Sequence, residues 1–203
     1  MRSHEENVRQ ARRVRQTRET KIEAELFLDG LGSSQVATGI GFFNHMLELF
    51  ARHSLIDLNI KVDGDLNVDP HHTVEDSGLV LGTTLDEALG KREGIRRYGS
   101  AFLPMDETLV RVVVDLSGRP FLHYQPITTA PGAMVGAMPF QLVEEFWRAF
   151  AMTSRICLHM EVLYGKDLHH IAEALFKGAA RALRTAIEND PRMTGVPSTK
   201  GVL

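Results

Sequence analysis

The run His71-His72-Thr73-Val74-Glu75 recurs, nearly unchanged, as His169-His170-Ile171-Ala172-Glu173. Imidazole and carboxylate together form the donor set of a borderline divalent metal. On a helix, His71 and Glu75 lie four apart on one face, as do His169 and Glu173, so each pair can hold one ion. His72 and His170 are turned by about 100° from their neighbours and point away from that ion. A twofold arrangement uses all six groups: each helix gives a His/Glu pair to its own ion and its other histidine to the ion across the axis. One HHxxE alone is balanced by the reading of salt-bridged helices with surface histidines. Two copies at equivalent places favour metal.

The motifs lie inside a longer repeat. Setting His45 against Glu145 brings Phe50 onto Phe150, Ser54 onto Ser154, Leu58 onto Leu158 and Val62 onto Val162. A two-residue deletion before the first HH then superposes the motifs. A repeat of this length is one supersecondary unit, so the chain reads as two halves about a pseudo-twofold axis. The alignment adds a fourth ligand to each set. One ion takes His45, His72, His169 and Glu173; the other takes His71, Glu75, Glu145 and His170. Ligation without thiolate suits Mn, Fe or Zn.

The elements that must carry these groups are legible from periodicity. Residues 19–28 alternate as a strand, and Asp29-Gly30 turns into a second strand near 34–38. Helical spacing runs from Phe42 to Arg52, a strand covers 56–62, and a helix covers 71–90. Strands follow at 109–116 and 119–124, with a Pro/Gly/Ala-rich loop over 125–139. The second unit reads as helix 140–153, strand 156–163 and helix 168–189. The expected class is α+β: two half-domains, each a mostly antiparallel sheet with helices on one face. The expected division is a leader (1–17), a first half (18–92), a second half (93–189) and a C-terminal tail (190–203).

Composition narrows the function classes. With 203 residues and 43% hydrophobic content the chain can bury an ordinary core. A net charge of -3 gives no reason to expect nucleic acid or an anionic membrane. The arginines of the leader (Arg2, Arg9, Arg12, Arg13, Arg15 and Arg18) read as solvated and partly mobile. Cys157 stands alone, which fits a reducing cytoplasm. No apolar run approaches the roughly 20 residues of a membrane helix. His4 reads as solvated, and His53, His123 and His159 read on their own as structural or rim residues. Arg96-Arg97, Arg119 and Ser198-Thr199-Lys200 stand in Gly-rich turns that suit a phosphate clamp, although each alone reads as solvated charge.

Together these residues resemble the imidazoleglycerol-phosphate dehydratase family, from about Arg18 to the C-terminus. The segments that carry the resemblance are Arg18-Glu19-Thr20, Gly39-Ile40-Gly41-Phe42-Phe43-Asn44-His45-Met46, both HHxxE motifs and Arg97-Tyr98-Gly99. Pro104-Met105-Asp106-Glu107, Asp115-Leu116-Ser117-Gly118-Arg119-Pro120 and Ser198-Thr199-Lys200-Gly201 complete it. Glu145 stands where many members carry His, and Asn44 where Asp is frequent.

The resemblance implies a duplicated fold like ribosomal protein S5 domain 2. It implies dehydration of imidazoleglycerol phosphate to imidazoleacetol phosphate in histidine biosynthesis, with two Mn2+ per active site. In that scheme the substrate ring becomes an imidazolate between the metals and expels the C3 hydroxyl through a diazafulvene-like intermediate. Glu19, Glu173 and Asp106 are the implied proton-handling candidates. Glu19, His45, His53, Arg97, Arg119, His169, Lys177, Ser198, Thr199 and Lys200 are the implied substrate contacts. The implied assembly is a large homo-oligomer, a 24-subunit shell with active sites between subunits. Two other readings remain at this point. A two-metal phosphoester hydrolase would release inorganic phosphate; a metal-assembled scaffold would leave the basic residues without a purpose.

Overall fold

The computed structural model describes residues 8–127 and 130–203; Arg2 and His4 lie outside them. Four strands, β1 (Gln10–Gln16), β2 (Thr20–Phe27), β3 (Ser34–Ala37) and β4 (Asp57–Gly64), form one sheet in the order β1-β2-β4-β3. A second sheet has the order β5-β6-β10-β7, from β5 (Tyr98–Met105), β6 (Thr108–Asp115), β7 (Phe121–Gln125) and β10 (Cys157–Tyr164). In both sheets one pairing, β3 with β4 and β7 with β10, is parallel and the rest are antiparallel. The helices are α1 (Gly41–Ser54), α2 (His71–Leu89), α3 (Leu142–Thr153) and α4 (Leu168–Ile187). Each half therefore repeats one strand order with two helices, an α+β architecture.

Alternation decides which way each sheet faces. In β2, Thr20, Ile22, Ala24 and Leu26 are buried; in β6, Thr108, Val110, Val112 and Val114 are. These faces meet helices, while the opposite faces remain open. Across the middle, α2 packs on α3 and α1 packs on α4. Exchanging the halves exchanges these two pairs, as a pseudo-twofold requires. The centre is aromatic: Phe50, Trp147, Phe150 and Phe176 have ring centroids 4.9 to 6.1 Å apart. Burying each such ring stabilises by about 1.5–3 kcal/mol.

Small residues set how closely the layers approach. A Cβ at Gly82 would sit 2.5 Å from the Phe150 carbonyl, and one at Gly99 would overlap the Ala182 carbonyl on α4. Because the obstacle at Gly99 is backbone, Gly99→Ala should destabilise by about 3 kcal/mol, the upper end for overpacking. A midpoint of chemical unfolding unchanged from the parent would refute that packing account.

Three expectations need correction. Residues 10–16 are no mobile leader: they form β1, the edge strand of the first sheet. Their arginines are paired, Arg9 with Asp29, Arg12 with Glu23, Arg13 with Glu87 (2.7 Å) and Arg15 with Asp76 (2.6 Å). The first half thus begins before residue 18. The counterpart edge strand β5 covers a stretch just after the Arg96-Arg97 turn for which no strand is expected from the sequence. The expected loop over 125–139 carries a short hairpin, β8 (Met134–Val135) with β9 (Met138–Pro139). Thr128 and Thr129 of that stretch lie outside the described residues. No helix of the described residues is long and apolar enough to cross a membrane.

Candidate metal and anion sites

The two HHxxE motifs begin α2 and α4, and an aspartate sets each start. The Asp167 carboxylate accepts from the backbone N–H of His169 (2.7 Å) and His170 (3.3 Å). Asp69 accepts from the His71 N–H at 2.7 Å. The repeated unit is therefore D-x-H-H-x-x-E, with the aspartate satisfying the free N–H groups of the first turn and aligning both histidines.

At the α1–α4 contact, His45, His169 and Glu173 converge. His45 Nε2 lies 3.6 Å and His169 Nε2 3.2 Å from Glu173 Oε2, and the three donor atoms fall within 4.8 Å of one another. Glu173 is only 6% exposed. Burial opposes its ionisation, but the hydrogen bond and charge of Lys177, with His45 and His169, outweigh burial and hold its pKa below the ordinary value. The edge of Phe42 closes on the His169 ring at 5.2 Å. His53 lies two turns along α1 from His45. Burial, then the charges of Lys177 and Arg181, push its pKa down and favour the neutral ring. Two imidazole nitrogens and an ionised carboxylate, with no thiolate among them, fit Mn2+, Fe2+ or Zn2+.

The matching group on α2 is looser. His71 Nε2 and Glu75 Oε2 are 3.3 Å apart, both partly exposed. Glu145, in the first turn of α3, does not complete a group there: among the described residues, His45, His169 and Glu173 form the one three-donor cluster.

His72 and His170 do turn away from the adjacent pair, as the 100° offset requires. Within one chain they do not reach the opposite cluster. Among the helices, α2 packs on α3 and α4 on α1, while α4 also lies across β5 and β6, and each histidine finds an acid nearby instead. His72 Nδ1 lies 3.0 Å from Asp65, and His170 Nδ1 lies 2.7 Å from Glu107. Those hydrogen bonds raise the pKa of both rings above the ordinary value. Glu107 is held well below the usual carboxylate range by the Asp167 N–H, then by His170 and the Lys166 N–H. Neither Asp65 nor Glu107 was singled out as a site residue. Spacing gives no hint of them, because both reach their histidines from other elements. Glu19 lies 3.9 Å from His72 Nε2, and Asp106, 76% exposed on a turn at φ 47°, lies 3.8 Å from His170 Nε2.

The basic residues form a separate depression of about 740 Å³ lined by Arg97, Arg119, Ser198, Thr199 and Lys200, with Tyr98 beneath Arg97. The tail folds back to make it: Arg97 donates to the Pro197 carbonyl at 2.8 Å and to Asp115 at 2.7 and 3.2 Å. Asp115, which also lies 4.0 Å from Arg119, thereby neutralises part of the positive charge. The Arg97 N–H bonds the Ala186 carbonyl, at the far end of α4 from His169. Seventeen helical residues separate these ends, roughly 25 Å at 1.5 Å per residue.

Known proteins resemble this chain in sequence and in fold. A family model described as imidazoleglycerol-phosphate dehydratase matches residues 38–183. The imidazoleglycerol-phosphate dehydratase of Methylorubrum extorquens is 54% identical over 190 residues, 93% of this chain and 96% of that protein. That of Desulfitobacterium hafniense is 53% identical over 196 residues, 97% of this chain and 99% of that protein. The crystal structure of the Staphylococcus aureus enzyme superposes with a TM-score of 0.80 at 39% identity, covering 89% of this chain and 99% of that chain. The Pyrococcus furiosus structure gives 0.76 at 36%, covering 94% and 100%. On matched sequence over most of its length, and on a shared fold, this chain belongs to the imidazoleglycerol-phosphate dehydratase family.

Proposed function

We propose that the chain is a hydro-lyase of histidine biosynthesis that converts imidazoleglycerol phosphate to imidazoleacetol phosphate and water, with two Mn2+ ions per site. The observation that carries the reading is the convergence of His45, His169 and ionised Glu173 from two helices, in a member of this family. Mn2+ held by these residues would supply Lewis acidity that stabilises negative charge developing on the substrate. The residues for the first ion are His45, His169 and Glu173, with His72; for the second, His71, Glu75 and His170, with Glu145.

The protein groups divide the remaining work. Glu173, buried and held ionised beside Lys177, suits ligation better than proton transfer, since a base must gain a proton readily. Glu19, exposed near His72, is the carboxylate placed to move a proton at the substrate diol; Asp106 holds the corresponding exposed position near His170. The base takes the C2 proton, a proton is delivered to the C3 hydroxyl so that it leaves as water, and the resulting enol ketonises. Arg119, Lys200, Ser198 and Thr199, with Arg97 anchoring the loop, hold the phosphate and fix the reacting carbons. His53 and Lys177 line the same side as His45.

The separation of the two clusters supports a large homo-oligomer. A three-carbon chain between ring and phosphate, at about 1.5 Å per bond, spans far less than roughly 25 Å. The phosphate cradle of one chain and the metal cluster of the same chain therefore serve different substrates, and each site draws on a neighbouring subunit. The assembly we propose is the 24-subunit shell, in the cytoplasm.

Incubation of the purified protein with Mn2+ and imidazoleglycerol phosphate should yield an enolisable ketone with no inorganic phosphate released, and a chelator should stop it. Phosphate release without ketone would instead identify a two-metal hydrolase.

A further inference from the structure

The two halves treat their second histidine differently. The registers define equivalent positions: Ile22 pairs with Val62 in the first sheet, and Val110 with Val162 in the second. Glu19, three residues before Ile22, is therefore the counterpart of Glu107, three before Val110. Glu107 is fully engaged. Its Oε2 lies 2.7 Å from His170 Nδ1, and its Oε1 accepts from the N–H groups of Lys166 (3.1 Å) and Asp167 (2.9 Å). An ionised carboxylate only accepts hydrogen bonds, so Nδ1 must carry the proton and Nε2 keeps its lone pair. Glu19 does not do this for His72. Asp65, from the loop after β4, occupies His72 Nδ1 at 3.0 and 3.2 Å, while Glu19 sits 3.9 Å from Nε2 and is half exposed. The two turns are tied together, since the Asp65 N–H bonds the Glu19 carbonyl at 3.0 Å.

We propose that Asp65 and Glu107 are positioning residues that hold His72 and His170 by Nδ1 and present Nε2 to a divalent cation, and that Asp65 thereby frees Glu19 for the substrate. The inference rests on the metal reading above and deepens it. A carboxylate behind a ligating histidine fixes its ring orientation and tautomer, and raises its basicity. In the second half the turn glutamate does that work itself. In the first, a residue from another loop took it over, and the vacated carboxylate is the one that faces the reaction. This accounts for a twofold-related chain whose turn glutamate holds the histidine Nδ1 in one half and not in the other.

The test is Mn2+ titration of the assembled protein by electron paramagnetic resonance of the free ion, alongside turnover. Asp65→Ala and Glu107→Ala should each weaken binding of one Mn2+ by about 10- to 100-fold. Asp65→Asn and Glu107→Gln, which keep an acceptor oxygen, should recover most of it. Glu19→Gln should leave Mn2+ affinity unchanged while lowering kcat. Wild-type affinity in both alanine variants, or loss of Mn2+ in Glu19→Gln equal to that in Asp65→Ala, would overturn the inference. Neither outcome would touch the proposed reaction, which stands or falls on ketone formation by the unmodified protein.

Discussion

Glu173→Gln is expected to lower turnover of imidazoleglycerol phosphate by about 10³-fold or more, the scale of losing several kcal/mol of Lewis-acid stabilisation. The substitution keeps the shape but removes the charge around which His45, His169 and Lys177 are gathered. One ion should be lost from each site, with the other retained, so metal analysis should find half the parent content. Lys177 loses its partner as well, which adds to the repulsion of an incoming cation. The fold should survive, because the core around Trp147 and Phe176 does not depend on the charge. Full metal content with full turnover would remove Glu173 from the site.

Asp86→Ala should carry a large stability effect. Arg92 is 3% exposed and donates to Asp86 at 2.5 Å, to the Ser154 carbonyl at 2.7 Å and to the Arg155 carbonyl at 3.1 Å. Arg155 also reaches Asp86, at 2.8 and 3.0 Å. This knot ties the end of α2 to the turn between α3 and β10, across the two halves. Burial pushes the Arg92 pKa down and Asp86 is the chief group that restores it. Removing one partner of a buried ion pair costs about 3–5 kcal/mol, and the remaining carbonyls place this case near 3. For a chain of this size that corresponds to a fall in the melting temperature of roughly 10 °C. Arg92→Met, which removes the buried charge instead of stranding it, should cost less. A melting temperature for Asp86→Ala equal to the parent's would show that the knot is not holding the halves together.

The aromatic, β-branched and i,i+4 patterns made four helices and most interior strands legible from the chain alone, because they are local and strictly periodic. The duplication was legible for the same reason: matched residues such as Phe50 and Phe150, or Val62 and Val162, fill equivalent places in two cores. The edge strands β1 and β5 were missed together. Unlike the other edge strands β3 and β7, β1 is held by its ladder and by ion pairs such as Arg15 with Asp76, which leave no alternating apolar signature. Sequence by itself determined which side chains share a helix face, hence the His71/Glu75 and His169/Glu173 pairs. Tertiary structure alone decided what meets across elements. It brought His45 to Glu173, left Glu145 outside its expected group, and gave His72 and His170 the carboxylates of Asp65 and Glu107. Spacing along one helix is dictated by its 3.6-residue turn, whereas partners from separate loops are chosen by packing, which no short-range pattern encodes.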